Sequence, residues 1–162
     1  MSTQPWPPYR TEVRPEWGDY NGHLNDAFYF LIFSRAGDAV LDLIGMGDAY
    51  RRQHAVSVFT LETHVCYLRE VGVGETVEVE ARVLDLDAKR LHLFQTLRRA
   101  GEADPAATAE TAWLNVDMTT RRGAPFRPEI HAQLEAQRAL RAAEPWPERA
   151  GRKVGLSRRP PA

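Results

Sequence analysis

The sequence predicts an α+β domain in which one long helix is wrapped by a single curved antiparallel sheet of about five strands. Three observations lead there. The hydrophobic period changes once, from 3.6 to 2, after the helix, and holds to about Met118. The first half of the helix, Ala27 to Phe33, is apolar all round and must therefore be covered on more than one side. No helical stretch separates the later strands, which excludes a doubly wound α/β sheet.

Pro5 to Pro8 form a stiff lead-in to a short strand, Tyr9 to Arg14, that Pro15 ends. A polar loop from Glu16 to Asn25 follows, and Asn25 or Asp26 is placed to cap the helix by accepting its first free N–H groups. The helix runs to about Ile44, where Gly45-Met46-Gly47 supplies a left-handed stop. Its second half carries a polar stripe, Ser34, Arg35, Asp38 and Asp42, while Ala36 and Gly37 allow close approach of another element. Phe59 to Tyr67 then alternates, with Phe59, Leu61, Val65 and Tyr67 opposite Thr60, Glu62, His64 and Cys66. Val77, Val79, Ala81 and Val83 alternate with polar residues in the next strand, a half-buried antiparallel pattern. Further strands span Arg90 to Arg98 and Ala107 to Met118. In the last, Ala112, Leu114, Val116 and Met118 are assigned to the core face and Trp113 and Asn115 to the opposite one. Gly72, Gly74 and the run from Ala100 to Pro105 are turn chemistry.

Pro128 to Ala143 reads as a peripheral helix with Ile130, Leu134 and Leu140 as its apolar positions, which completes one domain over residues 1–143. Residues 144–162 form a Pro- and Arg-rich tail. From Pro145 onward, Arg149, Arg152, Lys153, Arg158 and Arg159 against Glu148 give a net charge of +4, and a solvated, mobile end is the expectation. The whole chain has 162 residues and a formal charge of −1, so no global charge argues for nucleic acid or an anionic membrane as partner. No apolar run approaches the roughly 20 residues of a membrane span. The first residues lack the pattern of a signal peptide, and a single cysteine, Cys66, excludes an internal disulfide. A cytoplasmic location is expected.

The site signal lies in Trp17-Gly18-Asp19-Tyr20-Asn21-Gly22-His23-Leu24-Asn25. Asp19-x-x-Gly22-His23-Leu24-Asn25, followed by a long helix with Tyr29 in its first turn, resembles the signature of 4-hydroxybenzoyl-CoA-thioesterase-type hotdog proteins, over roughly Tyr9 to Met118. The blocks Phe59-Thr60-Leu61-Glu62-Thr63-His64, Tyr67-Leu68-Arg69-Glu70 and Asp87 to Phe94 resemble the betainyl-CoA thioesterases of carnitine breakdown, which occur alone or fused to carnitine dehydrogenase. The resemblance implies a hotdog fold, an acyl-CoA substrate, and a homodimer or a homotetramer. It also implies hydrolysis of a short polar acyl-CoA to free acid and CoA, with no metal or other cofactor.

A thioester carbonyl is electrophilic enough to hydrolyse with an activated water or nucleophile and donors for the oxyanion. The resemblance gives the catalytic carboxylate to Asp19, as general base or nucleophile, with His23 and Asn25 orienting it or the thioester. Gly22 permits close approach of backbone to substrate, and the N–H groups near Asp26 and Ala27 are expected to face the carbonyl oxygen at the positive end of the helix dipole. A trimethylammonium head needs aromatic faces, for which Trp17, Tyr20, Tyr29 and Trp113 are the candidates, with Phe28 read mainly as core. Glu62 is a further substrate contact, and Lys89 and Arg90, with Arg121 and Arg122 behind them, are candidates for CoA phosphates.

Each assignment has a plainer rival. Asp19 is also a turn residue, His23 and Asn25 are also loop braces, and the four basic residues are also ordinary surface charges. Glu62 and His64 share a strand face that solvent or a second copy can cover. Cys66 has no activating neighbour in the sequence and reads as packing, while Asp38 and Asp42 are the fallback carboxylates. The five histidines show no metal-ligand spacing, and neither a Gly-rich phosphate loop nor a Ser or Cys nucleophile elbow is present. The competing functions are a generalist thioesterase for short or aromatic acyl-CoA and a non-catalytic acyl-CoA-binding protein of the same fold.

Overall fold

Residues 4–155 are described by a computed structural model. In chain order the elements are β1 (Tyr9–Glu12), a 3-10 turn (Pro15–Trp17), α1 (Asp26–Leu43), α2 (Asp48–His54), β2 (Val56–Tyr67), β3 (Thr76–Leu86), β4 (Arg90–Arg99), β5 (Ala107–Asp117), β6 (Arg122–Gly123) and α3 (Pro128–Leu140). The strands pair antiparallel in the order β1-β3-β4-β5-β2, with two-residue β6 added beside β5. The sheet curls around α1, as the change of period anticipates, and the arrangement is that of the hotdog fold.

Helix α1 begins where its cap chemistry puts it. The Asn25 Oδ1 accepts from the Ala27 N–H at 3.0 Å, and Gly45, at φ +78°, turns the chain away after Ile44. Two apolar clusters form along the helix. The first packs Tyr29, Ile32, Phe33 and Ala36 against Val13, Trp17, Val77, Val79 and Leu97. The second packs Val40, Leu41 and Ile44 against Leu91, Leu93, Trp113, Ile130 and Leu134. The cover is not complete: Phe30 remains 46% exposed.

Strand β2 departs from uniform alternation. Its register to β5 shifts between Thr60 and Glu62, so Val56 and Val58 face inward before the bulge and Thr63, Val65 and Tyr67 after it. A bulge inserts one unpaired residue and moves the following side chains to the other face. Phe59, expected inside, is therefore 38% exposed, and Leu61, at the bulge, is 55% exposed.

Strand β5 reverses the expected faces except at Val116, which is buried as expected. Ala107, Ala109, Thr111, Trp113 and Asn115 are buried, while Ala112 and Leu114 are only half-buried. The strand is apolar on both sides, so alternation alone does not choose between them. The choice follows from α1: a Cβ on Gly37 would lie 2.8 Å from Trp113 Cζ2, so the absent side chain makes the space the indole fills. Buried Asn115 donates from Nδ2 to the carbonyls of Ala124 and Pro125.

Helix α3 stops at Leu140. Ile130 and Leu134 are fully buried, and Gln137 rather than Leu140 takes the next inward position, donating from Nε2 to the Gln4 carbonyl at 3.0 Å. The chain beyond it is exposed and makes contacts back to the sheet. Arg82 donates to the Pro145 carbonyl at 2.8 Å, Trp146 packs edge-on to His92, and the Gly151 N–H donates to Glu110 Oε2 at 2.7 Å. Arg158 and Arg159 lie outside the described residues.

Candidate active site

The loop between β1 and α1 is stitched to the β2–β3 connection. Gly18 bridges Leu24, the Asp19 N–H donates to the His23 carbonyl at 2.8 Å, and Gly22, at φ +78°, makes the turn between them. His23 bridges Gly72, and the Leu24 N–H donates to the Val71 carbonyl at 2.7 Å. Gly18 cannot be larger, since a Cβ there would meet Val73 Cγ2 at 2.6 Å. The backbone that carries Asp19 is thus held on both sides.

Asp19 is gripped by this backbone rather than by a counter-ion. Its Oδ1 accepts from the N–H of Asn21 at 2.8 Å and of His23 at 3.1 Å. Led by the His23 N–H bond, these contacts hold the carboxyl below the usual aspartate range, against an opposing desolvation. The group is ionised at neutral pH and its negative charge is not cancelled.

Asp19 opens into a cavity of about 490 Å³ lined by Tyr20, Asn21, His23, Leu24, Asn25, Asp26, Tyr29 and the run Tyr67-Leu68-Arg69-Glu70. The start of α1 forms one wall and the end of β2 another. The Asn25 side chain is occupied as the helix cap. His23 Nε2 lies 3.6 Å from Glu70 Oε2. The Tyr29 hydroxyl donates to the Arg69 carbonyl at 3.2 Å, and burial pushes its phenol up to about 12, so it stays protonated. Tyr67 donates to the Asp26 carbonyl at 3.2 Å, and its ring meets that of Tyr29 edge to face, centroids 5.4 Å apart.

Of the residues assigned from sequence, Asp19, Tyr20, His23, Asn25, Asp26 and Tyr29 share this cavity, with Gly22 in the loop that shapes it. Others lie elsewhere. Trp17 is 3% exposed, stacked on Phe28, with the guanidinium groups of Arg14 and Arg35 each 5.2 Å from its ring centroid. It is core, because the 3-10 turn rotates it inward ahead of the Gly18 bend. Trp113 is core for the reason given above. Glu62 and Arg90 line a different cavity, and Lys89 sits exposed in the turn beside it, at the far end of the β3–β4 pair. The N–H of Ala27, expected to face the substrate, already donates to Asn25 Oδ1 and Asp26 Oδ1. Residues 67–70 received no role from sequence. The signal was their resemblance block, which marked them without saying that β2 ends beside α1.

The chain is thus a hotdog domain with a carboxylate held ionised by backbone amides on the loop that enters its central helix. Comparison with known proteins agrees. Residues 13–134 match the Thioesterase-like superfamily, and the chain belongs to that family as a thioester hydrolase. It is 45% identical to the betainyl-CoA thioesterase of Pseudomonas aeruginosa, over 91% of this chain and 93% of that protein. It is 35% identical to the L-carnitine dehydrogenase/betainyl-CoA thioesterase of Rhizobium meliloti, over 91% of this chain but 30% of that longer protein. Among solved structures, a Staphylococcus aureus protein in complex with CoA superposes with a TM-score of 0.89 at 31% identity, covering 97% of this chain and 98% of that one. A Pseudomonas putida protein described as a putative thioesterase superposes with a TM-score of 0.83 at 40% identity, over 96% and 99% of the two chains. No helix among the described residues is long and apolar enough to cross a membrane.

Proposed function

We propose that this chain hydrolyses betainyl-CoA to betaine and CoA, with Asp19 as the catalytic carboxylate. The observation that carries the chemistry is the Asp19 carboxylate, tied at Oδ1 by two backbone N–H groups beside a cavity at the helix start. Oδ2 accepts neither bond and is the oxygen for catalysis. As general base it takes a proton from water, whose oxygen bonds to the thioester carbon. The tetrahedral oxyanion is met by the N–H of Asp26 and the positive end of the α1 dipole. Cleavage of the C–S bond expels the CoA thiolate, which recovers the proton. As nucleophile, Oδ2 instead bonds to carbon directly and water cleaves the resulting anhydride. Label found in Asp19 after single turnover in ¹⁸O water would identify the second route, with water attacking the anhydride at Cγ of Asp19. Neither route calls on a metal or other cofactor, because the thioester is itself reactive enough.

The acyl group is supported by the relatives' names and by the character of the cavity. Thiol release from a panel of acyl-CoAs tests it: betainyl-CoA should lead, and a flat profile across short and aromatic acyl groups would favour the generalist reading. Retention of every thioester in the panel would favour a non-catalytic binder.

The working unit in this reading is a two-fold homodimer joined along β2, in the cytoplasm. Strand β2 ends the sheet, has no fully buried residue, and exposes Phe59 and Leu61. An unpaired edge with apolar flanks is a surface that a second copy covers. Light scattering should report a dimer or a dimer of dimers, and a stable, active monomer would refute this.

A further inference from the structure

We infer that Tyr67, with Tyr29 behind it, holds a quaternary ammonium head of the acyl group and sets the selectivity for a cationic substrate. The inference rests on the thioesterase reading above and adds the residue that chooses the substrate.

A trimethylammonium group donates no hydrogen bond, so only aromatic surface and negative potential can hold it. In a betainyl thioester its nitrogen is two bonds from the carbonyl carbon. The head must then sit in the same cavity as the catalytic carboxylate, and candidates elsewhere in the chain are excluded. Trp17 is excluded a second way, because two arginines of this chain already flank its ring. Trp113 is packed beneath Gly37. The aromatic surface fixed beside Asp19 is the perpendicular pair Tyr29 and Tyr67. Both hydroxyls are tied back to main-chain carbonyls, so the rings are oriented and offer carbon surface rather than O–H groups. Tyr29 is 4% exposed and forms the floor; Tyr67 is 52% exposed and forms the wall.

The charges agree. Asp19, Asp26 and Glu70 line the cavity, and its one arginine, Arg69, is engaged by Asp104 at 2.6 Å. A cavity of this sign repels phosphate and attracts a cation. The CoA moiety is polyanionic, so a negative acyl site favours a thioester whose acyl end is positive. The bound head then lies next to Asp19 and to the developing oxyanion, where its charge favours ionised carboxylate and transition state together.

The test is the ratio of kcat/KM for betainyl-CoA to that for 3,3-dimethylbutanoyl-CoA, which puts carbon in place of the charged nitrogen. A ratio is independent of how much enzyme is correctly folded. The unmutated protein should favour the cation by 10-fold or more, about the effect of one strong contact with an aromatic face or several weaker ones. Tyr67→Leu should lower the ratio by roughly 3- to 30-fold, whereas Tyr67→Phe, which keeps the ring and loses only the hydroxyl, should hold it within about twofold. A Tyr67→Leu ratio equal to that of the unmutated protein overturns the inference and leaves the thioesterase reading standing. Failure of the unmutated protein to release thiol from either substrate overturns the thioesterase reading, and this inference with it.

Discussion

Two cavities of the same size, about 490 Å³ each, lie in this molecule, and they hold their carboxylates differently. The one on the outer face of the sheet, beneath the C-terminal segment, holds two close ion pairs together with Glu62, Asp85, Arg152 and Lys153. Arg90 Nη2 lies 2.6 Å from Asp87 Oδ2, and His92 Nε2 lies 2.7 Å from Glu110 Oε1, while the second Glu110 oxygen accepts from Gly151. At the start of α1, Asp19 is held by amides and keeps its full charge. Asp87 also accepts backbone N–H bonds, from Lys89 and Arg90, but its guanidinium partner neutralises it. Volume does not distinguish the two cavities, and the proposal for Asp19 rests instead on how its carboxylate is held.

The sharpest way to break this comparison is Asp19→Asn, which keeps shape and removes charge. Thiol release should fall by a factor on the order of 100 or more with an unchanged circular-dichroism spectrum. Near-normal turnover would move the chemistry to Glu62, Asp38 or Asp42. The acid limb of kcat/KM gives a second reading of the same group. Because the Asp19 carboxyl is held below its usual range, activity should persist as pH falls to the ordinary aspartate value of about 3.9, as far as the fold survives. A limb near pH 6 would point to another residue.

Smaller effects sharpen the contrast. Asn25→Ala removes the α1 cap and should cost about 1 kcal/mol, a fall in melting temperature of about 2–4 °C for a chain of this size. In the outer cavity, Glu110→Gln should leave thiol release within about twofold, and a larger loss there would erase the distinction between the two cavities. The least effect is expected from Asp87→Asn. The folded-state carboxyl lies at about 2, below its unfolded value, so its stabilisation is present above about 3.9 and is lost as pH falls through about 2. The variant should flatten the stability curve across that window, and the change should be small because the pair is largely solvated.

The resemblance of residues 67–70 to a known block was legible, yet their place in the site was not. Tyr67 and Asp26 are far apart in sequence, and only the curl of the sheet brings the end of β2 to the start of α1. Asp19 was legible because its setting is local: the turn at Gly22, the donors at Asn21 and His23, and the cap at Asn25 all lie within six residues of it. For the same reason Lys89 and Arg90 were read as potential phosphate contacts. Their turn is visible in the sequence, but its distance from Asp19 along the β3–β4 pair is not.

By itself the sequence determined whatever rests on near neighbours: the long helix from its cap to Gly45, the switch to period-2 strands, the turns, and the carboxylate loop with its family signature. The tertiary structure alone decided which side of each strand is inside. A strand period of two leaves two equivalent faces, and one inserted residue exchanges them, as the bulge between Thr60 and Glu62 does. Trp113 turned inward because Gly37, 76 residues earlier, left room for it, and Trp17 because Phe28, Arg14 and Arg35 close around its ring. Burial is a property of what arrives from elsewhere in the chain, and an aromatic residue carries no local mark of whether it will meet a substrate or the core.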